Sequence, residues 1–409
     1  MCHGKTSVRS KIVPFVFENR KVLDMGSLFP QIQSSPSRVC HNQGTSNERR
    51  FVNVNPVSAK NAMARMSVPI GQAGGYSAII DARSEDEFAL DHLPGAFNWP
   101  SLGNEQRIEI GTLYKQVGSF EAKKKGAGLV AANIAKHIEK HVIDLPKDWQ
   151  PLVYCWRGGK RSGSLALILG QIGFKVAIIE GGYKAFRSEL VTAIPPLAER
   201  IQWRVICGPT GSGKTRLLHC LKAQGAQVLD LEGLANHRSS VLGFIPGEPQ
   251  PSQKNFDTLI WDALRQMDPS QPVYVESESR KVGNLAVPES LIVAVRSGQC
   301  YQLELSDDER VKLLLEDYEF FVKDPSLFSS RLDALVAIRG KQQVETWQSH
   351  IAHGQIDIVV RELLTMHYDP TYFASMKRNF SHIENAKTLK AESRSMDGLT
   401  AIAKELTLA

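Results

Sequence analysis

Along the first 66 residues, apolar and polar positions hold neither the two-residue period of a strand nor the 3.6-residue period of a helix for long. From Tyr76 the pattern becomes readable. Ser77-Ala-Ile-Ile-Asp81 is an apolar run ending in an acid, and Ser84-Glu-Asp-Glu-Phe-Ala-Leu90 predicts a helix, with Ser84 and Glu87 at capping-box spacing. After a turn at His92-Leu-Pro-Gly95, Pro151-Leu-Val-Tyr154 predicts a strand running into Cys155, with a helix over 162–173 and a strand over 175–180. Ile194-Pro195-Pro196 predicts a break, because paired prolines interrupt a helix. The pattern then restarts with Trp203-Arg-Val-Ile-Cys207, Gln227-Val-Leu-Asp230 and Pro272-Val-Tyr-Val-Glu276, and turns helical beyond residue 305 (307–319, 341–351, 356–366).

Strands alternating with helices predict an α/β fold built on parallel sheets. The expected organisation is an extension over 1–66, a first α/β domain over 67–193, a linker over 194–202, a second over 203–304, and a helical region over 305–409 packed on it. A chain of 409 residues, at roughly 150 per domain, agrees with two or three units.

At 42% hydrophobic and 22% charged residues, the composition excludes a chain disordered throughout and a collagen-like repeat. No apolar run approaches the roughly 18 residues of a membrane-spanning helix, so no membrane partner is expected. The six cysteines (Cys2, Cys40, Cys155, Cys207, Cys220, Cys300) form no C-x-x-C pair, which argues against a disulfide framework and a structural zinc site. Net charge is +6, but residues 1–66 hold ten Lys or Arg against Glu18, Asp24 and Glu48. The remainder is near neutral, so a nucleic-acid site must be a local patch. The basic, Ser-rich start has two readings: an organelle transit peptide, or an extension with Met63 or Met66 as the true start.

Two segments carry chemistry. Cys155-Trp-Arg-Gly-Gly-Lys-Arg-Ser162 joins a strand to a helix. Its glycines let backbone N–H groups turn around the sulfur, and the helix N-terminus, Arg157, Lys160 and Arg161 favour the nucleophilic thiolate. The same loop would bind an oxyanion. Gly208-Pro-Thr-Gly-Ser-Gly-Lys-Thr215 fits G-x-x-x-x-G-K-[ST] in the strand–helix context that motif requires. Gly208, Thr210, Gly211, Ser212 and Gly213 would wrap a phosphate chain, Lys214 neutralise it and Thr215 ligate Mg²⁺. Asp230, Glu232, Glu276 and Glu278, at strand ends, are candidates for substrate or Mg²⁺. No adenine- or guanine-reading motif accompanies the loop, so a nucleotide is one candidate among diphosphate ligands.

Asp81-Ala-Arg83, His92-Leu-Pro-Gly-Ala96, the Cys155 loop and Glu180-Gly-Gly182 occur in the order seen in rhodanese domains. With Gly111-Thr-Leu-Tyr-Lys-Gln116, Glu180-Gly-Gly-Tyr-Lys-Ala185, the phosphate loop, Asp230-Leu-Glu-Gly-Leu-Ala235, His237-Arg-Ser239, Glu276-Ser-Glu-Ser-Arg280, His367-Tyr-Asp-Pro370 and Tyr372, the chain closely resembles the bacterial-type tRNA 2-selenouridine synthases over about 76–375. One departure is Ser277, where the family's Glu-Asp-Glu-Ser pattern has an acid.

The resemblance implies a rhodanese-like parallel-sheet domain followed by a P-loop NTPase-like α/β domain with a helical C-terminal part. It implies a tRNA-modifying transferase that replaces sulfur by selenium at C2 of wobble 2-thiouridine, through an S-geranyl intermediate made from geranyl diphosphate and then selenophosphate. Catalysis would fall to Cys155, Arg157 and Arg161. No tightly bound cofactor or metal is expected, with Mg²⁺ accompanying the diphosphate. Lys377-Arg378 and His237-Arg238 offer basic groups to the tRNA. A bacterial-type start implies the cytoplasm, a transit peptide a plastid or mitochondrion. The alternative is a P-loop kinase or NTPase fused to a thiosulfate sulfurtransferase.

Overall fold

The computed structural model describes residues 53–240 and 242–408, and what the sequence suggests for residues 1–52 lies outside them. The first half runs β1 (Val54–Val57), α1 (Ala59–Arg65), β2 (Ala78–Asp81), α2 (Glu85–Leu90), β3 (Ala96–Asn98), α3 (Asn104–Gln116), α4 (Ser119–His141), β4 (Pro151–Tyr154), α5 (Lys160–Ile172), β5 (Val176–Ile179) and α6 (Gly182–Glu199). The five strands pair parallel in the order β1-β5-β4-β2-β3. β2 and β4 are buried along their whole length, which is why they read as continuous apolar runs rather than alternations.

The domain begins earlier than the sequence suggested. Residues 54–65 form β1 and α1, so the extension does not reach residue 66. Pro56 obscured the strand, yet β1 is an edge strand, where a missing N–H is tolerated. Ser58 caps α1 by accepting from the Asn61 N–H at 3.2 Å.

The predicted linker is also absent as such. α6 runs through Pro195 and Pro196 to Glu199. Leu190, Ile194 and Ala198, one turn apart, are all buried, so packing holds the axis where local preference would break it. α6 packs on α1 and β5 on one side and on two helices of the second half on the other.

That half runs β6 (Trp203–Cys207), α7 (Lys214–Ala223), β7 (Gln227–Leu229), α8 (Leu231–Ala235), α9 (Gln253–Arg265), β8 (Val273–Glu276), the hairpin of β9 (Lys281–Val282) and β10 (Leu285–Ala286), α10 (Glu289–Arg296) and β11 (Gln299–Glu304). Helices follow: α11 (Asp307–Asp317), α12 (Glu319–Lys323), α13 (Pro325–Leu332), α14 (Val336–Arg339), α15 (Lys341–Ala352), α16 (Ile356–Glu362), a π-helical turn (Leu363–Tyr368) and α17 (Asp369–Asn379). The region 305–409 is therefore helical only in part. Its last segments, β12 (Lys387–Lys390) and α18 (Met396–Leu408), return to the sheet, whose order is β12-β11-β6-β8-β7, all parallel.

One apolar core runs from Ala59 in α1 through α6 to Phe380, joining the halves. Polar contacts seal the seam. Arg187 of α6 donates to the Lys254 carbonyl at 2.9 Å and to Asp257 at 2.8 Å. The buried Asp91 accepts from the Tyr183 hydroxyl at 2.6 Å and from Thr258 at 3.2 Å. Among the described residues, no helix is long and apolar enough to cross a membrane.

Candidate functional site

Cys155 sits where β4 ends, five residues before α5 begins. The first turn of α6 pins its loop: the Tyr183 N–H donates to the Cys155 carbonyl at 2.8 Å, and the Lys184 N–H to Trp156 at 3.0 Å. Gly182, at φ +59°, must be glycine, because a Cβ there would run into the Cys155 carbonyl. The Ser162 hydroxyl lies 3.1 Å from the sulfur and can donate to it.

The three cations of the loop are not equivalent. Arg157 and Lys160 are exposed, whereas Arg161 pairs with Glu87 at 2.6 Å. Against the upward push of burial, Arg161 holds the Glu87 carboxyl below its usual range. Arg161 therefore braces the loop through α2 rather than standing free beside the thiol. Cys155 itself is only 3% exposed, so the sulfur lies beneath the loop and not in the open cradle that the glycines suggested. The backbone of Gly182 and Tyr183 packs against the Cys155 carbonyl.

Residues 208–215 lie between β6 and α7, as the motif requires. Gly208 has φ +153°, and a Cβ there would come within 2.5 Å of the Ser212 hydroxyl and 2.8 Å of the Leu303 carbonyl. Arg310, from α11 and 4% exposed, donates twice to the Thr210 carbonyl, at 3.0 and 2.8 Å, and pairs with Asp369 at 2.6 Å. The Tyr372 hydroxyl accepts from the Gly208 N–H at 2.5 Å.

A cleft of about 340 Å³ opens over this loop, lined by Gly211, Gly213, Lys214 and Thr215 and by Glu232, Glu276 and Glu278. Carboxylate oxygens of the three glutamates lie within 4.8 Å of one another. The Thr215 hydroxyl is 3.5 Å from Glu232, and the Glu276 Oε1 is buried without a partner. Burial pushes Glu276 up to about 7 against the pull of Lys214. Glu232 and Glu278 are raised by burial too, and Glu232 also by repulsion from the other two. Three hard oxygen donors beside a threonine hydroxyl, one left unsatisfied, fit a divalent cation such as Mg²⁺. Ser277 lines the same cleft between two of these acids, so its replacement of an acid leaves the donor set standing. Asp230 does not join it: its carboxylate caps α8, accepting from the Gly233 N–H at 2.8 Å.

A narrow apolar cavity lies beside the cleft, lined by Leu242, Phe328, Val360 and Leu364 among others. Thr210, Ser240, Leu314, Tyr318 and Tyr368 line both spaces. Sequence reasoning missed the cavity and Arg310, because its walls come from α11 to α16 and the π-helical turn, whose apolar positions carry no motif. The two pairs of basic groups offered to the tRNA sit differently. His237 is buried, and Arg238 turns into the cleft, stacked 4.7 Å over Tyr318. Lys377 and Arg378 are exposed on α17.

Residues 69–189 match the rhodanese-like domain family, and residues 201–325 match the tRNA 2-selenouridine synthase AAA domain. The chain is 38% identical over 244 residues to the tRNA 2-selenouridine synthase of Nitrosomonas europaea, covering 59% of this chain and 63% of that protein. The match thus spans less than two thirds of that relative. With the protein of the same name from Aeromonas salmonicida, identity is 29%, over 72% of this chain and 86% of the other. With that of Hydrogenovibrio crunogenus, identity is 31% over 336 residues, covering 75% of this chain and 91% of the other. Both domains are matched in order and nine tenths of the Hydrogenovibrio protein is covered, and the chain belongs to the tRNA 2-selenouridine synthase family.

Proposed function

We propose that the chain is a tRNA-modifying transferase that replaces sulfur by selenium at C2 of wobble 2-thiouridine, by way of an S-geranyl intermediate. The observation that carries the reading is the apolar cavity opening off the phosphate-loop cleft. A diphosphate ester with an apolar chain, such as geranyl diphosphate, would use both: phosphates over residues 208–215, hydrocarbon among Leu242, Phe328 and Leu364. A thiocarbonyl sulfur leaves poorly, and alkylation makes it a good leaving group.

In the first step the sulfur of 2-thiouridine forms a bond to the geranyl C1 as the C1–O bond breaks, and diphosphate departs. Lys214 and the loop N–H groups take up the charge that develops on the leaving oxygen. Mg²⁺ held by Thr215, Glu232, Glu276 and Glu278 would add to that neutralisation. In the second step, selenophosphate is held at the Cys155 loop, with Arg157 toward its oxygens and Arg161 bracing the loop. Selenium forms the bond to C2 and geranyl thiol leaves. The Cys155 thiolate then attacks phosphorus and the P–Se bond breaks, and water hydrolyses the resulting S–P bond to release phosphate and regenerate the thiol, with no net redox change.

The test is mass spectrometry of wobble nucleosides after incubation of a 2-thiouridine tRNA with geranyl diphosphate and then selenophosphate. S-geranyl-thiouridine followed by selenouridine is expected. ATP turnover without tRNA, and no geranylated nucleoside, would instead favour a phosphotransferase fused to a thiosulfate sulfurtransferase.

A further inference from the structure

The hairpin of α3 and α4 stands between β3 and β4 and contributes little to the core: no residue of α3 is buried, and only Ala122, Gly126 and Ile134 of α4 are. Its outer part exposes what a core would hide. Ile108, Tyr114, Val117 and Phe120 are 66%, 59%, 64% and 68% exposed, a run of large apolar side chains within thirteen residues. Lysines are interleaved with them. Lys115, Lys123, Lys124 and Lys125 are all exposed. Lys124 lies 5.0 Å over the Phe120 ring and pairs with Glu121 at 2.8 Å, and Lys125 pairs with Glu109, whereas Lys115 and Lys123 have no acidic partner among the described residues. Because Ala122 and Gly126 face inward, Phe120 and Lys124 project from the opposite side of α4, with Lys123 on its flank.

We infer that the tip of this hairpin is the docking surface for the unpaired loop of the tRNA, with Tyr114 and Phe120 as stacking platforms and the lysines on the phosphates. The inference rests on the proposed function for the identity of the RNA, but the surface argues for itself. Exposed apolar side chains on a protein partner would be matched by apolar residues, not ringed by cations. Aromatic faces set among lysines complement unpaired bases on a polyanionic strand. The root of the hairpin is tied to the thiol loop: Ser101 donates to the Arg161 carbonyl at 2.9 Å, and Glu87 pairs with both Arg107 and Arg161. Thirteen helical residues carry the tip roughly 20 Å from that root, so a bound loop stays within reach of the first domain's chemistry.

Binding of a 2-thiouridine tRNA to the full chain, titrated across salt concentrations, tests this. Lys115→Gln with Lys123→Gln and Lys124→Gln should flatten the slope of log affinity against log salt by about 2. Tyr114→Leu with Phe120→Leu, which keeps the apolar surface and removes the stacking faces, should weaken binding roughly 10-fold or more. All five side chains are exposed, and an unchanged thermal midpoint checks that the variants fold. Wild-type affinity in both variants, or loss only with Lys377→Gln and Arg378→Gln on α17, would overturn the assignment. So would concentration-dependent self-association that the leucine variant retains while tRNA affinity is unaltered. A wild-type chain that modifies no thiouridine tRNA sinks the proposed function instead, a distinct outcome.

Discussion

The loops at Cys155 and at Gly208 share a construction: a buried parallel strand, a glycine-rich turn and the first turn of a helix. What packs behind each one differs. Backbone closes the Cys155 loop, with two carbonyls bonded to N–H groups of α6 and Gly182 against the Cys155 carbonyl. Side chains hold the phosphate loop instead: Arg310 takes the Thr210 carbonyl, Tyr372 the Gly208 N–H, and leucines 313 and 314 lie against Gly213 and Gly211. A backbone lining has little freedom and suits one small group held in one place. A side-chain lining leaves room for a large ligand, and here it opens on an apolar cavity.

The sharpest way to separate the two loops is Cys155→Ala, which should abolish selenation while geranyl transfer stays within about 2-fold, read by mass spectrometry of the nucleosides. Loss of both reactions would break the division of labour. Lys214→Ala should do the reverse and slow geranyl transfer by about 100-fold or more, the usual cost of removing a charge-stabilising group. Arg310→Ala should lower stability by about 3–5 kcal/mol in urea unfolding, because it leaves Asp369 and the Thr210 carbonyl without their buried partner. Weakened diphosphate binding should accompany it, with the Cys155 loop unaffected.

The smallest effect concerns pH. Because the Glu276 carboxyl titrates near 7 in the folded chain, against an ordinary 4.5, the folded state binds the extra proton between those values. Stability of the metal-free protein should therefore fall as pH rises from about 4.5 to about 7, by on the order of 2–3 kcal/mol. Glu276→Gln should reduce that fall and leave the part set by Glu232 and Glu278, and Mg²⁺ should offset it above pH 7. A thermal-midpoint profile unchanged by the substitution would show that Glu276 does not control it.

Both loops were legible in the sequence because their determinants are local: glycines at fixed spacing, a strand before, a helix after. The parallel sheets were legible from buried apolar runs such as Ile79–Ile80 and Leu152–Val153. What escaped was set at a distance. Pro195 and Pro196 signal a break, but Ile194 and Ala198 are locked in a core shared by both halves. Val54-Asn-Pro-Val57 reads as coil and becomes a strand because β5 offers it an edge. Asp230 sat at a strand end like Glu276, and only the cap it makes to Gly233 shows that it serves α8. Arg310 reaches the phosphate loop across 100 residues, a separation no local pattern encodes.

The π-helical turn at Leu363–Tyr368 stores one residue of slack in the chain. It holds one residue more than an α-turn would, and it sets the azimuth of α17 behind it. Deleting one of those six positions would let the turn relax to α geometry with α17 close to its present azimuth, whereas inserting a further residue has no such outlet and would swing everything after it by about 100°. Tyr372 would then leave Gly208, and Asp369 would leave Arg310. A one-codon deletion in this stretch can be absorbed by the turn itself, but a one-codon insertion cannot.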